Sequence, residues 1–152
     1  TNEETPRIID PRNAFIMDSL LKEVINTGTA RKAKRLKRED IAGKTGTTNN
    51  LVDAWFAGFN PDIVTITWMG YDQPRTLGKN ESGSRAALPI WIDYMRPIIG
   101  EYPIKILETP DGIIPLRINP KNGMLAKKDE DSIYEYFYDE FLPNNNAYFL
   151  LN

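Results

Sequence analysis

The stretch from Asp40 to Gly70 limits the fold of this chain more than any other. It holds three segments of strand character: the β-branched, glycine-rich run 40–48, then Val52 to Phe59, then Ile63 to Gly70. Asn49-Asn50 separates the first two and Asn60-Pro61-Asp62 the last two, both turn signals. A parallel connection needs a crossover of about a dozen residues, and these links are far shorter, so the three strands form an antiparallel meander. The third alternates, with Val64, Ile66 and Trp68 on one face and Thr65 and Thr67 on the other.

A sheet needs cover, and the flanking sequence supplies helices. Asp10-Pro11 combines a capping residue with a proline suited to the first helical position. Ala14, Met17, Leu21 and Val24 then recur at helical spacing, and Thr27-Gly28 ends the run, predicting a helix over 11–27. A second helix follows Ser84, read as its cap. Leu88, Ile92, Met95 and Ile99 share one face of it, and Pro89 is tolerable only near its start. The fold class is therefore α+β, an antiparallel sheet flanked by helices. Residues 101–152 change character, with Pro103, Pro110, Pro115, Pro120 and Pro143, the turn dipeptides Asp111-Gly112 and Asn122-Gly123, and aromatics from Tyr134 to Phe141. The expected division is a main body over 1–100 and an extension with short strands over 101–152. The short Asn144-Asn145-Asn146 run is its one low-complexity feature.

Composition excludes whole classes of chemistry. The 152 residues contain no His and no Cys. A Ser-His-Asp triad, a Cys-His pair, a thiol redox centre and a His or Cys zinc site are all out. Proton transfer falls to Lys, Tyr, carboxylates or hydroxyls. No cofactor or metal is implied. A net charge of −2 argues neither for nor against nucleic acid. The run 31–38, with six cations in eight residues, has no interleaved aromatics and joins a helix to a strand, so it reads as a solvated loop and no nucleic-acid partner is expected. No apolar run reaches the roughly 18 residues of a membrane span, and Thr1-Asn2-Glu3-Glu4 is no signal peptide. Trp55, Phe56, Phe59 and Trp68 are expected in the core. Asn80-Glu81-Ser82 matches a glycosylation sequon and reads as plain loop.

Lys44-Thr45-Gly46-Thr47 is the stretch with chemistry. Alternation places Lys44 and Gly46 on one strand face, and Thr45 and Thr47 on the other. A Gly in the strand lets another backbone approach, and an ammonium beside two hydroxyls suits a carboxylate. Gly43-Lys44-Thr45 also looks like the end of a P-loop, but that motif needs a Gly where this chain has Arg38, and a helix where this chain has strands. The Lys-Thr-Gly triplet belongs instead to serine penicillin-binding proteins and related β-lactamases. The surroundings carry the match: Ala42 to Asn49, Asp53-Ala54-Trp55-Phe56-Ala57-Gly58-Phe59, and Gly70-Tyr71-Asp72 closely resemble class A penicillin-binding proteins. Gly28-Thr29-Ala30 upstream, Ala86 to Trp91, and Arg117 to Ala126 in the extension are similar to the same family.

The resemblance implies the C-terminal half of a transpeptidase domain, here with three of the family's five strands. The parent would be bifunctional, a glycosyltransferase and D,D-transpeptidase anchored in the inner membrane and facing the periplasm, with the anchor absent from this chain. The implied partners are D-Ala-D-Ala stem peptides of peptidoglycan and β-lactams. Lys44 would hold the cleft's polarity and contact a Ser-x-Asn hydroxyl. Thr45 and Thr47 would bind the terminal carboxylate, the Thr47 N–H would donate to the oxyanion, and Gly46 would let the acyl group lie against the strand. Ser-x-Asn occurs nowhere in the sequence, and Ser-x-x-Lys occurs once, as Ser19-Leu20-Leu21-Lys22. In the family the nucleophile lies far upstream of Lys-Thr-Gly, before Ser-x-Asn, whereas Ser19 is on the helix that leads into that strand. The nucleophile and its base are therefore expected in a missing N-terminal half. Without that half the third strand has an open edge, which invites association with another copy. The alternative is a non-catalytic peptide-binding or scaffold module of the same half-fold.

Overall fold

The computed structural model describes residues 6–143. The opening Thr1–Glu4 and the run Asn144–Asn146 lie outside them. The chain divides into two units, one of residues 18–107, the other of the described residues up to Met17 and from Glu108 onward. The division falls within helix α1, Pro11–Asn26. Asp10 caps that helix as its sequence predicts: its Oδ1 accepts the Arg12 N–H at 2.8 Å and its carbonyl accepts the Ala14 N–H at 3.0 Å. At the other end the Thr27 and Gly28 N–H groups both return to the Glu23 carbonyl.

The unit of residues 18–107 is built on three antiparallel strands, β1 (Ala42–Thr47), β2 (Ala54–Phe59) and β3 (Val64–Met69), in the order β1-β2-β3. The register pairs Lys44 with Ala57, Gly46 with Trp55, and Trp55 with Trp68. Asn60 makes the β2–β3 turn, its Oδ1 accepting the Asp62 and Ile63 N–H groups.

One face of this sheet carries Ala54, Phe56, Gly58, Thr65 and Thr67. A π turn at Gly83–Ala87 and helix α2, Leu88–Ile98, cover it. Leu88, Ile92, Met95 and Ile99 are buried together, as their spacing requires. Phe56 meets Trp91 edge to face at 5.0 Å, and the Trp91 indole donates to the Thr65 carbonyl at 3.0 Å. Gly58 makes this contact possible, because a Cβ there would lie 2.6 Å from both rings. Ser84 does not cap α2. The helix begins at Leu88, after the π turn, and the Ser84 hydroxyl lies 3.0 Å from that of Ser82.

The other face differs from expectation. Val64, Ile66, Trp68 and Trp55 are 74%, 61%, 45% and 42% exposed, so the two tryptophans expected in the core lie outside it, whereas Phe56 is buried. Alternation fixes which residues share a face and leaves open which face is packed. Here the threonine face turns inward, covered by the π turn and α2, and its hydroxyls are satisfied there, Thr67 on the Ala87 carbonyl and Thr65 on the Met95 sulfur.

The basic run is also more ordered than a solvated loop. Arg31–Leu36 form a 3-10 helix that buries Ala33, while the charged side chains of Arg31, Lys32, Lys34, Arg35 and Lys37 stay exposed. Arg38 departs from them. Its guanidinium grips both Asp40 oxygens, at 2.8 and 2.6 Å, and donates to the carbonyls of Ile99, Tyr102 and Pro103. Burial works against the Asp40 charge, but the Arg38 hydrogen bonds and the Lys105 N–H outweigh it, holding the carboxyl below its ordinary value.

In the other unit, β4 (Ile113–Ile118) and β5 (Ile133–Tyr138) form an antiparallel pair. Gly112 and Gly123 take the left-handed conformation at the two predicted turn dipeptides. Phe15 packs edge to face on Tyr136 at 4.9 Å, and Arg12 pairs with Glu140 at 2.8 Å while lying over the Tyr138 ring. Among the described residues, no helix is long and apolar enough to cross a membrane.

Candidate functional site

Strand β1 is an edge of the sheet among the described residues, and it carries Lys44, Thr45, Gly46 and Thr47 in succession. Its register fixes their directions. Lys44 and Gly46 lie opposite Ala57 and Trp55, on the bare face, and Thr45 and Thr47 lie opposite Phe56 and Ala54, on the packed face. The Lys44 ammonium folds back along the strand to the Thr45 carbonyl at 2.9 Å. The Thr45 hydroxyl meets that of Thr29 at 2.8 Å. The Thr47 hydroxyl accepts the Gly83 N–H at 3.0 Å. Gly83 can come this close because it has no Cβ, which would lie 2.4 Å from the Trp55 carbonyl oxygen and 2.5 Å from that of Gly46.

The strand's exit is also fixed. Asn50 and Leu51 take left-handed conformations, and the Thr48 N–H donates to the Asp53 carbonyl at 3.1 Å. The Asp53 N–H donates to the Thr48 hydroxyl at 2.8 Å, and that hydroxyl donates to Asp53 Oδ2 at 3.3 Å. Asp53 Oδ1 accepts the Trp68 indole N–H at 2.9 Å. One carboxylate thus ties the end of the Lys44–Thr47 strand to both β2 and β3. The sequence motifs include Asp53 and Thr29 without pointing to these roles, and Gly83 lies outside them. The Asn-Asn turn ahead of Asp53 was the available signal for the first; Thr29 and Gly83 approach β1 only through the tertiary fold.

The competing motifs can be placed as well. The Lys22 ammonium is paired with Asp18 at 2.8 Å, so the isolated Ser19-x-x-Lys22 has its Lys turned to a carboxylate neighbour. Gly43-Lys44-Thr45 lies in a strand followed by a three-residue 3-10 turn at Asn49–Leu51, whereas a phosphate loop opens onto a helix. A cavity of about 320 Å³ is lined by Lys22, Lys34, Lys37 and Arg38 together with Glu39, and by none of the residues from Lys44 to Thr47. Two of its four cations are already committed, Lys22 to Asp18 and Arg38 to Asp40.

The chain is 50% identical over 146 residues to a penicillin-binding protein 1A of Pseudomonas aeruginosa, covering 94% of this chain and 18% of that protein. It is 49% identical over 112 residues to the penicillin-binding protein 1A of Neisseria lactamica, covering 74% of this chain and 14% of that protein. The crystal structure of penicillin-binding protein 1A from Haemophilus influenzae is similar at a TM-score of 0.83 and 36% identity, over 92% of this chain and 22% of that one. The chain thus spans less than a fifth of the length of these two curated relatives. No protein-family model matches it.

Proposed function

The chain belongs to the penicillin-binding protein family, and from that premise we propose that it supplies one wall of a peptidoglycan D,D-transpeptidase site. The parent cross-links stem peptides ending in D-Ala-D-Ala through a serine acyl-enzyme, and β-lactams acylate the same serine. Its site faces the periplasm, and its anchor lies in the inner membrane. The nucleophile, its base Lys and the Ser-x-Asn segment come from outside this chain, whose sequence contains no Ser-x-Asn.

The observation that carries this reading is the edge strand β1, where an ammonium and two hydroxyls occupy four consecutive residues at a glycine. Thr45 and Thr47 hold the terminal carboxylate of the peptide or drug. The Thr47 N–H stabilises the oxyanion, and donors of this kind contribute about 3–4 kcal/mol to the transition state. Lys44 keeps the cleft positive and meets the Ser-x-Asn hydroxyl. No step needs histidine, in accord with a chain that has none.

Acylation of the full-length protein by fluorescent penicillin tests the assignment. Thr47→Ala removes a hydroxyl hydrogen bond to a charged group, worth about 1.5–3 kcal/mol, so the acylation rate constant falls roughly 10- to 100-fold in a protein that still folds, the loss of the Gly83 partner lowering its melting temperature only modestly. Unchanged acylation would remove Thr47 from the site. The 152-residue chain alone takes no covalent label; labelling abolished by Ser19→Ala would instead make Ser19 the nucleophile.

A further inference from the structure

We infer that Thr29 is a positioning residue for the carboxylate site, acting through Thr45; the inference rests on the transpeptidase reading above and extends it to a residue outside the Lys44–Thr47 strand. Its basis is the 2.8 Å contact between the Thr29 and Thr45 hydroxyls. Either oxygen can be the donor in that pair, and the choice decides what Thr45 offers to a ligand. If Thr45 gives its proton to Thr29, it turns only lone pairs toward an approaching carboxylate. If Thr29 gives its proton to Thr45, the Thr45 hydrogen is free to donate to the anion. A bound carboxylate selects the second arrangement, a chain running from Thr29 to Thr45 to the carboxylate. Each hydrogen bond in such a chain polarises the next and strengthens it.

The local structure fits Thr29 for this. It sits on a tight turn after α1, where the Gly28 N–H donates to the Glu23 carbonyl at 3.0 Å and the Ala30 N–H to the Val24 carbonyl at 2.9 Å. Ala30 is fully buried, so the backbone on both sides of Thr29 is tied down while its own side chain stays exposed. The neighbouring hydroxyl shows the same logic with a different partner. The Gly83 N–H occupies a lone pair of Thr47, again leaving the hydroxyl hydrogen for a ligand. Both wall hydroxyls thus have a hydrogen-bond partner behind them, and Thr45 is the one whose partner, Thr29, is a replaceable side chain.

The test uses the full-length protein and two probes, benzylpenicillin and its methyl ester, which lacks the carboxylate charge. Thr29→Val keeps the side chain's shape and removes the hydroxyl. It lowers the acylation rate constant for benzylpenicillin about tenfold and leaves that for the ester unchanged, while Thr29→Ser restores the wild-type rate. Equal loss with both probes would make Thr29 merely structural, and no loss with either would remove it from the site; both overturn the inference. A wild-type protein that neither probe acylates sinks the transpeptidase reading and this inference with it. Acylated wild type with an indifferent Thr29→Val sinks the inference alone.

Discussion

The two faces of the β1–β2–β3 sheet have opposite fates, and the one that carries more apolar side chain is the bare one. One face, through Phe56, Ala54 and Gly58, is closed by Trp91 and its helix, while the other leaves Val64, Ile66, Trp68 and Trp55 open. The edge strand divides its chemistry along the same line. Thr45 and Thr47 lie on the packed face and are supported within the chain, by Thr29 and by the Gly83 N–H. Lys44 lies on the bare face and, among the described residues, reaches only the carbonyl of its neighbour, Thr45. The carboxylate-binding part of the proposed site is therefore preorganised within these residues. The ammonium waits for the group that the transpeptidase reading places opposite it.

The largest effect expected from breaking this contrast is on the packed face. Trp91→Ala empties the space against Phe56 and Gly58 and removes the hydrogen bond to Thr65. Truncations of this kind cost about 3–5 kcal/mol, read as a lower urea midpoint at unchanged slope. A loss below about 1 kcal/mol would mean that the face is not a close-packed core.

Next in size is the Arg38–Asp40 pair, which joins the entry of β1 to the carbonyls that follow α2. Arg38→Ala leaves a buried carboxylate and several carbonyls without their donor, at a cost of about 3 kcal/mol. The pH dependence gives a second measure. Because the folded-state value of Asp40 lies below its unfolded value, the pair contributes fully above the unfolded value, and its contribution is lost as pH falls through the lowered one. Stability of the wild type therefore declines in acid, and Asp40→Asn flattens that decline. An Asp40→Asn variant with the wild-type acid profile would remove the pair from the balance.

Much of this architecture was legible in the chain, and its limits have physical causes. The meander, the Asp10 cap and the buried stripe of α2 follow from local rules of spacing, turns and backbone satisfaction, and Lys44 to Thr47 stand out as a contiguous motif. The orientation of the sheet does not follow, because an alternating strand is symmetric in pattern until something covers one side. Trp55 and Trp68 were misjudged for that reason: hydrophobicity alone placed them inside. Arg38 was hidden in a run of cations whose other members are exposed, since charge composition does not say which guanidinium will meet Asp40 and three carbonyls. Thr29 lies in the Gly28-Thr29-Ala30 stretch and Gly83 in none of the motifs, and their reach to β1 spans separations that no local pattern encodes.

The smallest effect is the most pointed test of the contrast, because it predicts almost nothing where hydrophobicity predicts a penalty. Ile66→Thr replaces a β-branched residue with another, so strand propensity changes little. The side chain is 61% exposed on the bare face, and little buried area is lost with it. Urea denaturation of the 152-residue chain should therefore place the variant within about 0.5 kcal/mol of wild type, as for surface substitutions elsewhere. The same chemical change on the packed face would cost transfer energy and leave a cavity. A loss above about 1 kcal/mol for Ile66→Thr would show that this face is covered in the folded chain in solution. The difference between the two sides of the sheet, and with it the separation of supported hydroxyls from a waiting ammonium, would then fail.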